Sequence, residues 1–162
     1  MGFSAGGTLT IKLMTITDRF KAASAGAGVA DWTSLWGQTD STVFRRTWFV
    51  GTPWQAGAQI DQFWTNSPVK DASKVKTPIL LFAGENDTRV PMAQSVEMYR
   101  ALKSQNVPTH LYVAPREGHQ WSDPRHQLFK ANAELEWFEK YAAGRTYVWE
   151  NVREATSAKP PF

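Results

Sequence analysis

Residues 2–7 of this chain read Gly-Phe-Ser-Ala-Gly-Gly, a G-x-S-x-G pentapeptide followed by one further glycine. The pattern predicts a tight strand-to-helix turn with Ser4 at its tip. Small residues such as Gly6 and Gly7 keep such a turn from clashing with the adjacent strand and helix. Residues 8–17 contain no Pro or Gly and predict a short helix directly behind the serine. The stretch therefore favours a fold built from strand–turn–helix units.

The rest of the chain continues this alternation. Apolar or small-residue stretches at 20–28, 79–83 and 109–114 predict buried strands. The second and third are followed by predicted helices, from Pro91 to about Ser104 and from Pro124 to about Ala142. Strands and helices in alternation indicate an α/β fold, with a parallel sheet flanked by helices.

A serine hydroxyl is a poor nucleophile unless a base takes its proton, and the chain has three histidines. His119 lies in the loop directly after the predicted strand 109–114, whereas His110 starts that strand and His126 lies early in the last helix. Active sites of α/β proteins assemble in loops at the carboxyl ends of parallel strands. We therefore expect His119 to be the base.

A histidine base needs a carboxylate that selects its tautomer and stabilises its charged form. Asp87 lies in the loop after the second apolar run and is the favoured candidate, with Glu85 as its nearest competitor. The chain order Ser4, Asp87, His119 is that of the α/β-hydrolase fold. The backbone N–H of Ala5, at the start of the predicted helix, is the expected oxyanion donor.

Composition excludes several other classes of protein. The chain of 162 residues fits one ordinary domain. Its net charge is only +3, and no run of Lys and Arg residues is interleaved with aromatic residues, so we expect no nucleic-acid partner. With no cysteine and three scattered histidines, neither a metal nor another cofactor is expected. No apolar run reaches the ~18 residues of a membrane span, and no signal peptide is visible. The default expectation is a cytoplasmic protein that does not enter membranes.

Aromatic residues are abundant, with eight Trp and nine Phe. They indicate a large aromatic core, an aromatic-lined pocket, an interface, or a mixture of these. Residues 31–63 are irregular and Trp-rich, with short helices expected. Trp32, Trp36 and Trp121 either line an acyl pocket beside Ser4 or belong to the core.

Longer stretches around these motifs carry a resemblance to a known family. They are GFSAGG (2–7), FKAASAGAGVADWTS (20–34), the segment from SPVKD to SQNVP (67–108), and APREGH (114–119). Together they resemble the catalytic domain of the prolyl oligopeptidase family, in particular its acylaminoacyl peptidase and dipeptidyl peptidase branches. The resemblance runs from Gly2 to about Tyr141 and implies acyl transfer through an acyl-enzyme on Ser4, with Asp87 and His119 as its partners.

Members of that family carry a β-propeller and the first half of the hydrolase domain ahead of this point. The resemblance therefore implies a truncated α/β-hydrolase fold at residues 1–143, without the N-terminal strands, the strand leading into Ser4, or a second oxyanion donor from an upstream loop. The inner sheet edge would then be open. We expect a homo-oligomer, most simply a dimer, to cover it. The tail 144–162 is expected to pack on the core or a partner, with its residues 147–149 helping to cover the edge.

Three functions remain open at this stage. Loss of one oxyanion donor costs ~3–4 kcal/mol, which a reactive ester tolerates better than an amide. The leading hypothesis is therefore a carboxylesterase that acts on small, short-chain esters. The alternatives are a serine peptidase acting on acylated or short peptides, and a catalytically silent fragment or interaction module.

Overall fold

The computed structural model describes residues 1–42 and 46–149. In these residues four strands form one parallel sheet, in which each strand lies beside the next one along the chain. The strands are β1 (Gly2–Phe3), β2 (Ala23–Gly26), β3 (Ile79–Gly84) and β4 (Thr109–Ala114). The predicted α/β architecture with a parallel sheet is confirmed.

Helices connect the strands. They are α1 (Ala5–Ile16), α2 (Trp32–Gln38), α3 (Arg46–Phe49), α4 (Ile60–Asn66), α5 (Met92–Ser104) and α6 (Pro124–Phe138). A 3₁₀ helix at Pro68–Lys74 precedes β3, and a π-helical turn at Glu139–Ala143 follows α6. None of the described helices has the length and apolar character needed to cross a bilayer.

Strand β3 is the centre of the core, because each of its six residues is buried. Successive side chains of a strand point to opposite faces of the sheet. Ile79 and Leu81 pack on the face covered by α1 and α5, whereas Leu80 and Phe82 pack against Trp137 and its neighbours from α6. The sheet is thus covered by helices on both faces, which fixes its strand ends and the loops that follow them.

The strand that leads into Ser4, which we expected to be missing, is present as the two residues of β1. Gly2 and Phe3 pair with Ala25 and Gly26 of β2. The N–H of Ser4 extends this ladder by donating to the carbonyl oxygen of Gly26 at 2.9 Å. Because β2 holds this short strand, the turn at Ser4 is anchored to the sheet directly before α1 begins.

The sheet ends at β1, and the helix that follows it carries exposed apolar residues. Leu9, Leu13 and Ile16 of α1 are 64%, 42% and 66% exposed. Their spacing of four and three residues places them on one side of the helix. Monomeric proteins seldom leave a continuous apolar stripe in water. The expected open edge therefore has an apolar helix face beside it.

The tail was expected to help cover that edge, but its described part contacts α6 instead. The hydroxyl of Tyr147 donates to Asn132 at 2.9 Å, and the indole N–H of Trp149 donates to Glu136 at 2.8 Å. The ring of Trp149 also packs at 5.2 Å from that of Phe129. These α6 side chains hold the tail because they offer hydrogen-bond acceptors and an aromatic ring. The rest of the tail, 150–162, lies outside the described residues.

Candidate active site

Ser4 lies at the turn between β1 and α1 in a strained backbone conformation, with φ 56° and ψ −119°. The turn packs tightly, because a Cβ at Gly7 would lie 2.3 Å from the carbonyl oxygen of Gly26. A Cβ at Gly2 would lie equally close to the carbonyl oxygen of Gly6. By contrast, no described atom lies within 4 Å of a Cβ built on Gly6 itself. Our expectation that both Gly6 and Gly7 keep the turn clear therefore holds for Gly7 alone.

The structure brings Ser4, His119 and Asp87 together. The Nε2 atom of His119 lies 2.8 Å from the Oγ of Ser4, and its Nδ1 lies 2.8 Å from Oδ2 of Asp87. Both distances are those of hydrogen bonds. The three residues come from the loops or turns after β1, β3 and β4, at one end of the parallel sheet.

The surroundings of Asp87 determine which nitrogen of His119 carries the proton. The Asp87 side chain is fully buried, and its Oδ1 accepts the main-chain N–H groups of Arg89 at 2.9 Å and Val90 at 2.8 Å. An ionised carboxylate only accepts hydrogen bonds, so Nδ1 of His119 must be the donor to Oδ2. In the neutral ring Nε2 then has a free lone pair that accepts the hydroxyl hydrogen of Ser4.

Glu85, the alternative candidate for the carboxylate beside His119, has a different role. Its Oε2 accepts the main-chain N–H of Arg116 at 2.7 Å and thereby joins the loop after β3 to the loop after β4. The other two histidines lie away from Ser4. His110 contacts the ring of Trp137, and His126 is bonded to Glu117 at 2.9 Å.

The N–H of Ala5 is the first of helix α1. The first N–H groups of a helix have no partner within it, and the helix dipole makes this end attractive to negative charge. Ala5 lines the same cavity as Ser4 and His119. The predicted oxyanion donor is thus next to the nucleophile in space as well as in sequence.

A cavity of about 160 Å³ opens beside the serine. It is lined by Ser4, Ala5, Thr8, Val29, Trp32, Trp48, Arg89, Val90 and His119. The rings of Trp32 and Trp48 meet edge to face at 6.0 Å, and Arg89 pairs with Asp40 at 2.7 Å. Sequence reasoning missed Trp48 and Arg89, although the first lies in the Trp-rich segment and the second is two residues after Asp87.

Trp32 is held in place by the residue before it. Asp31 caps α2 by accepting the N–H groups of Thr33 at 2.9 Å and Ser34 at 3.0 Å. Burial raises the pKa of Asp31, but these bonds and one from Ser67 outweigh it, so that the pKa lies below its ordinary value. The ionised cap fixes the start of α2 and with it one wall of the cavity.

The structure corrects our expectation for Trp36 and Trp121. Trp36 is 6% exposed and packs against Phe63 in the core, because it faces inward from α2. Trp121 packs edge to face on Phe82 and lines a separate cavity of about 220 Å³ beside the end of β4. Of the three predicted tryptophans, only Trp32 lies beside Ser4. Within the described residues, no three His, Asp or Glu side chains are grouped as a metal site requires.

Comparison with known proteins places this arrangement in a family. Residues 1–145 match the prolyl oligopeptidase family. The chain is 32% identical over 143 residues to the uncharacterized peptidase YuxL of Bacillus subtilis, covering 86% of this chain and 22% of that protein. It is 35% identical over 132 residues to the acylamino-acid-releasing enzyme of Rattus norvegicus, covering 76% of this chain and 18% of that enzyme.

Solved structures agree with the sequence matches. The acylaminoacyl peptidase of Pyrococcus horikoshii matches with a TM-score of 0.80 at 25% identity, over 92% of this chain and 24% of that one. A puromycin-hydrolyzing peptidase of Mycobacterium tuberculosis matches with a TM-score of 0.77 at 28% identity, over 86% and 21%. The chain thus spans less than a quarter of the length of these four proteins. By its sequence and its fold, it belongs to the prolyl oligopeptidase family.

Proposed function

We propose that this chain carries the catalytic groups of a serine peptidase that cleaves short or N-acylated peptides. The observation that carries the proposal is the hydrogen-bonded series Ser4–His119–Asp87, in a member of the prolyl oligopeptidase family. The aromatic cavity beside Ser4 is the proposed site for an apolar side chain of the substrate.

The proposed chemistry starts when Oγ of Ser4 attacks the scissile carbonyl carbon and passes its proton to Nε2 of His119. Asp87 stabilises the imidazolium that forms, and the N–H of Ala5 donates to the oxyanion. The tetrahedral intermediate collapses as Nε2 returns the proton to the leaving amine, which departs and leaves an acyl-enzyme on Ser4. Water then attacks this ester with His119 again as base, which releases the acid and restores the serine.

The choice of a peptide over an ester reverses the leading hypothesis from sequence. The relatives and solved structures named above are peptidases or an enzyme that releases acylamino acids, and none of these four is named as a carboxylesterase. A reactive ester tolerates the loss of one oxyanion donor better than an amide does, but this difference in substrate reactivity says little about which bond the site selects. The peptidase alternative therefore has the stronger support.

The proposal is tested by comparing acetyl-alanyl p-nitroanilide with p-nitrophenyl butyrate as substrates, each with the unaltered chain and with Ser4→Ala. We expect both substrates to be cleaved by the unaltered chain and neither by the variant. Cleavage of the ester alone would favour the carboxylesterase hypothesis over the peptidase. Cleavage of neither would favour the silent fragment or interaction module.

We also propose that a second copy covers the apolar face of α1 when the isolated chain is in solution. The exposed Leu9, Leu13 and Ile16 beside the short edge strand β1 support this. Light scattering at micromolar concentration should give the mass of a dimer, and Leu13→Lys should shift the mass to that of a monomer. A monomer before substitution would contradict the proposal.

A further inference from the structure

The loop that carries His119 runs from the end of β4 to the start of α6 and is closed by one side chain. The Oε2 atom of Glu117 accepts the main-chain N–H of Ser122 at 2.8 Å, and its Oε1 accepts that of Asp123 at 2.8 Å. His119 lies between the two ends that this carboxylate joins. The loop is therefore held as a small ring with the histidine on it.

Two further contacts anchor Glu117 to its surroundings. Its Oε1 is also 2.9 Å from Nδ1 of His126, in the first turn of α6, and the residue is only 4% exposed. Its main-chain oxygen accepts the N–H of Asn86 at 2.8 Å, one residue before Asp87. Glu117 thus contacts helix α6 with its side chain and the aspartate loop with its backbone.

The backbone of the histidine loop also lies directly against the end of β3. A Cβ on Gly84 would be 2.2 Å from the carbonyl oxygen of Gly118 and 2.5 Å from that of Glu117. This contact fixes the first half of the loop. In the second half, from residue 119 to 123, the Glu117 carboxylate accepts the main-chain N–H groups of Ser122 and Asp123. The same half is also held at Trp121, whose carbonyl oxygen accepts a hydrogen bond from Nε2 of Gln127 at 2.6 Å and whose ring packs on Phe82.

We propose that Glu117 is a positioning residue: its buried carboxylate closes the loop and so keeps His119 aligned between Ser4 and Asp87. The inference rests on the proposed function. The imidazole needs such support because 23% of its side chain is exposed and its ring contact is with Phe3 at 5.4 Å. A shift of about 1 Å at a reacting group costs on the order of a hundredfold in rate.

The carboxylate suits this task better than an amide does. The carboxylate of Glu117 accepts hydrogen bonds from two main-chain N–H groups and from one ring nitrogen. An ionised carboxylate can accept hydrogen bonds on both of its oxygens. Hydrogen bonds from Ser122 and His126 hold the pKa of Glu117 at about 2, so the group is ionised wherever a histidine base operates. A glutamine would turn an NH₂ group towards one of these donors and open one end of the loop.

The test compares Glu117→Gln with a matched control, Glu134→Gln, in the full chain. Glu134 is also a largely buried carboxylate, bonded to Ser24 at 2.6 Å and Lys130 at 2.9 Å, away from the histidine loop. We expect Glu117→Gln to lower kcat and the rate of fluorophosphonate labelling by about 10- to 100-fold with KM within about twofold. Glu134→Gln should leave all three unchanged. The NMR signal of the proton between His119 and Asp87 should shift or broaden in Glu117→Gln alone.

Several results would overturn the proposal. They are labelling of Glu117→Gln at the rate of the unaltered chain, a change in KM without one in kcat, and an equal loss in the control. If Glu117→Gln does not fold, Glu117→Asp decides, because its carboxylate stays ionised but is one methylene too short to accept from both Ser122 and Asp123. A loss of about 10-fold or more in kcat is expected, and an unchanged kcat contradicts the inference. If the unaltered chain is not labelled, the proposed function fails, and the NMR signal alone still tests the positioning.

Discussion

Replacing Asp87 with asparagine exchanges one oxygen for an NH₂ group and leaves the shape of the side chain unchanged. Oδ1 of Asp87 accepts two main-chain N–H groups, from Arg89 and Val90, so the amide oxygen of asparagine should take that position. The NH₂ group then faces Nδ1 of His119, 2.8 Å away, where the carboxylate now accepts. Two donors would meet there unless the imidazole moves its proton to Nε2. In that tautomer Nε2 donates towards Ser4 and has no lone pair to act as a base.

The expected loss of activity is large and the expected loss of stability is small. In serine proteases with this arrangement, the same exchange lowers kcat by about 10⁴-fold. That corresponds to about 5.5 kcal/mol of transition-state stabilisation, at ~1.4 kcal/mol for each factor of ten. Because both main-chain hydrogen bonds are kept, the free energy of unfolding should change by no more than about 1 kcal/mol.

The assay measures the rate at which a fluorophosphonate labels Ser4, together with thermal unfolding of the same samples. Glu85→Gln is the control, because Glu85 lies in the same loop but accepts from Arg116. Asp87→Asn should label at least a thousandfold more slowly with nearly unchanged Tm, and Glu85→Gln should label normally. Labelling of Asp87→Asn within about threefold of the unaltered rate would refute the assigned tautomer and the role of Asp87.

The packing and the charges also predict the effects of five other substitutions. Gly7→Ala should lower the free energy of unfolding by about 1–3 kcal/mol, because its Cβ would lie 2.3 Å from a carbonyl oxygen of β2. Gly6→Ala should raise it by up to ~1 kcal/mol in urea titrations, since that Cβ has open space in a helix. Trp48→Ala should change the ratio of kcat/KM for small apolar substrates to kcat/KM for large ones, because Trp48 lines the cavity beside Ser4. Trp36→Ala should lower the free energy of unfolding by about 3–5 kcal/mol, because Trp36 is in the core. The pKa of Glu117 is about 2 in the fold against an ordinary 4.5, so its ionised carboxylate stabilises the fold fully above pH 4.5. This stabilisation is lost as the pH falls towards 2, and the difference in Tm between the unaltered chain and Glu117→Gln should shrink over that range.

The site residues could be predicted because each lies where a strand ends. Asp87 and His119 follow apolar runs that become β3 and β4, and Ser4 follows β1. Parallel strands bring their carboxyl ends together, so chain order and position after a strand were sufficient. The prediction of β4 at residues 109–114 matches its observed bounds for the same reason, since a short apolar stretch between turn residues has clear ends.

Other features depend on packing that no local pattern records. Trp32 and Trp36 lie one helical turn apart on α2, yet one lines the cavity and the other is in the core. Helix α1 begins at Ala5, earlier than residue 8, because Gly7 lets its first turn lie directly against Gly26 of β2. The tail contacts α6 through Trp149, a partner that only the folded chain brings near.

The central claim is that Ser4 is a working nucleophile activated by His119 and Asp87. Intact-mass analysis after treatment with a fluorophosphonate, followed by mapping of the modified peptide, tests it most directly. The account predicts one adduct per chain, located on Ser4, and none in Ser4→Ala. No adduct on the unaltered chain, or the same adduct on the variant, would contradict it.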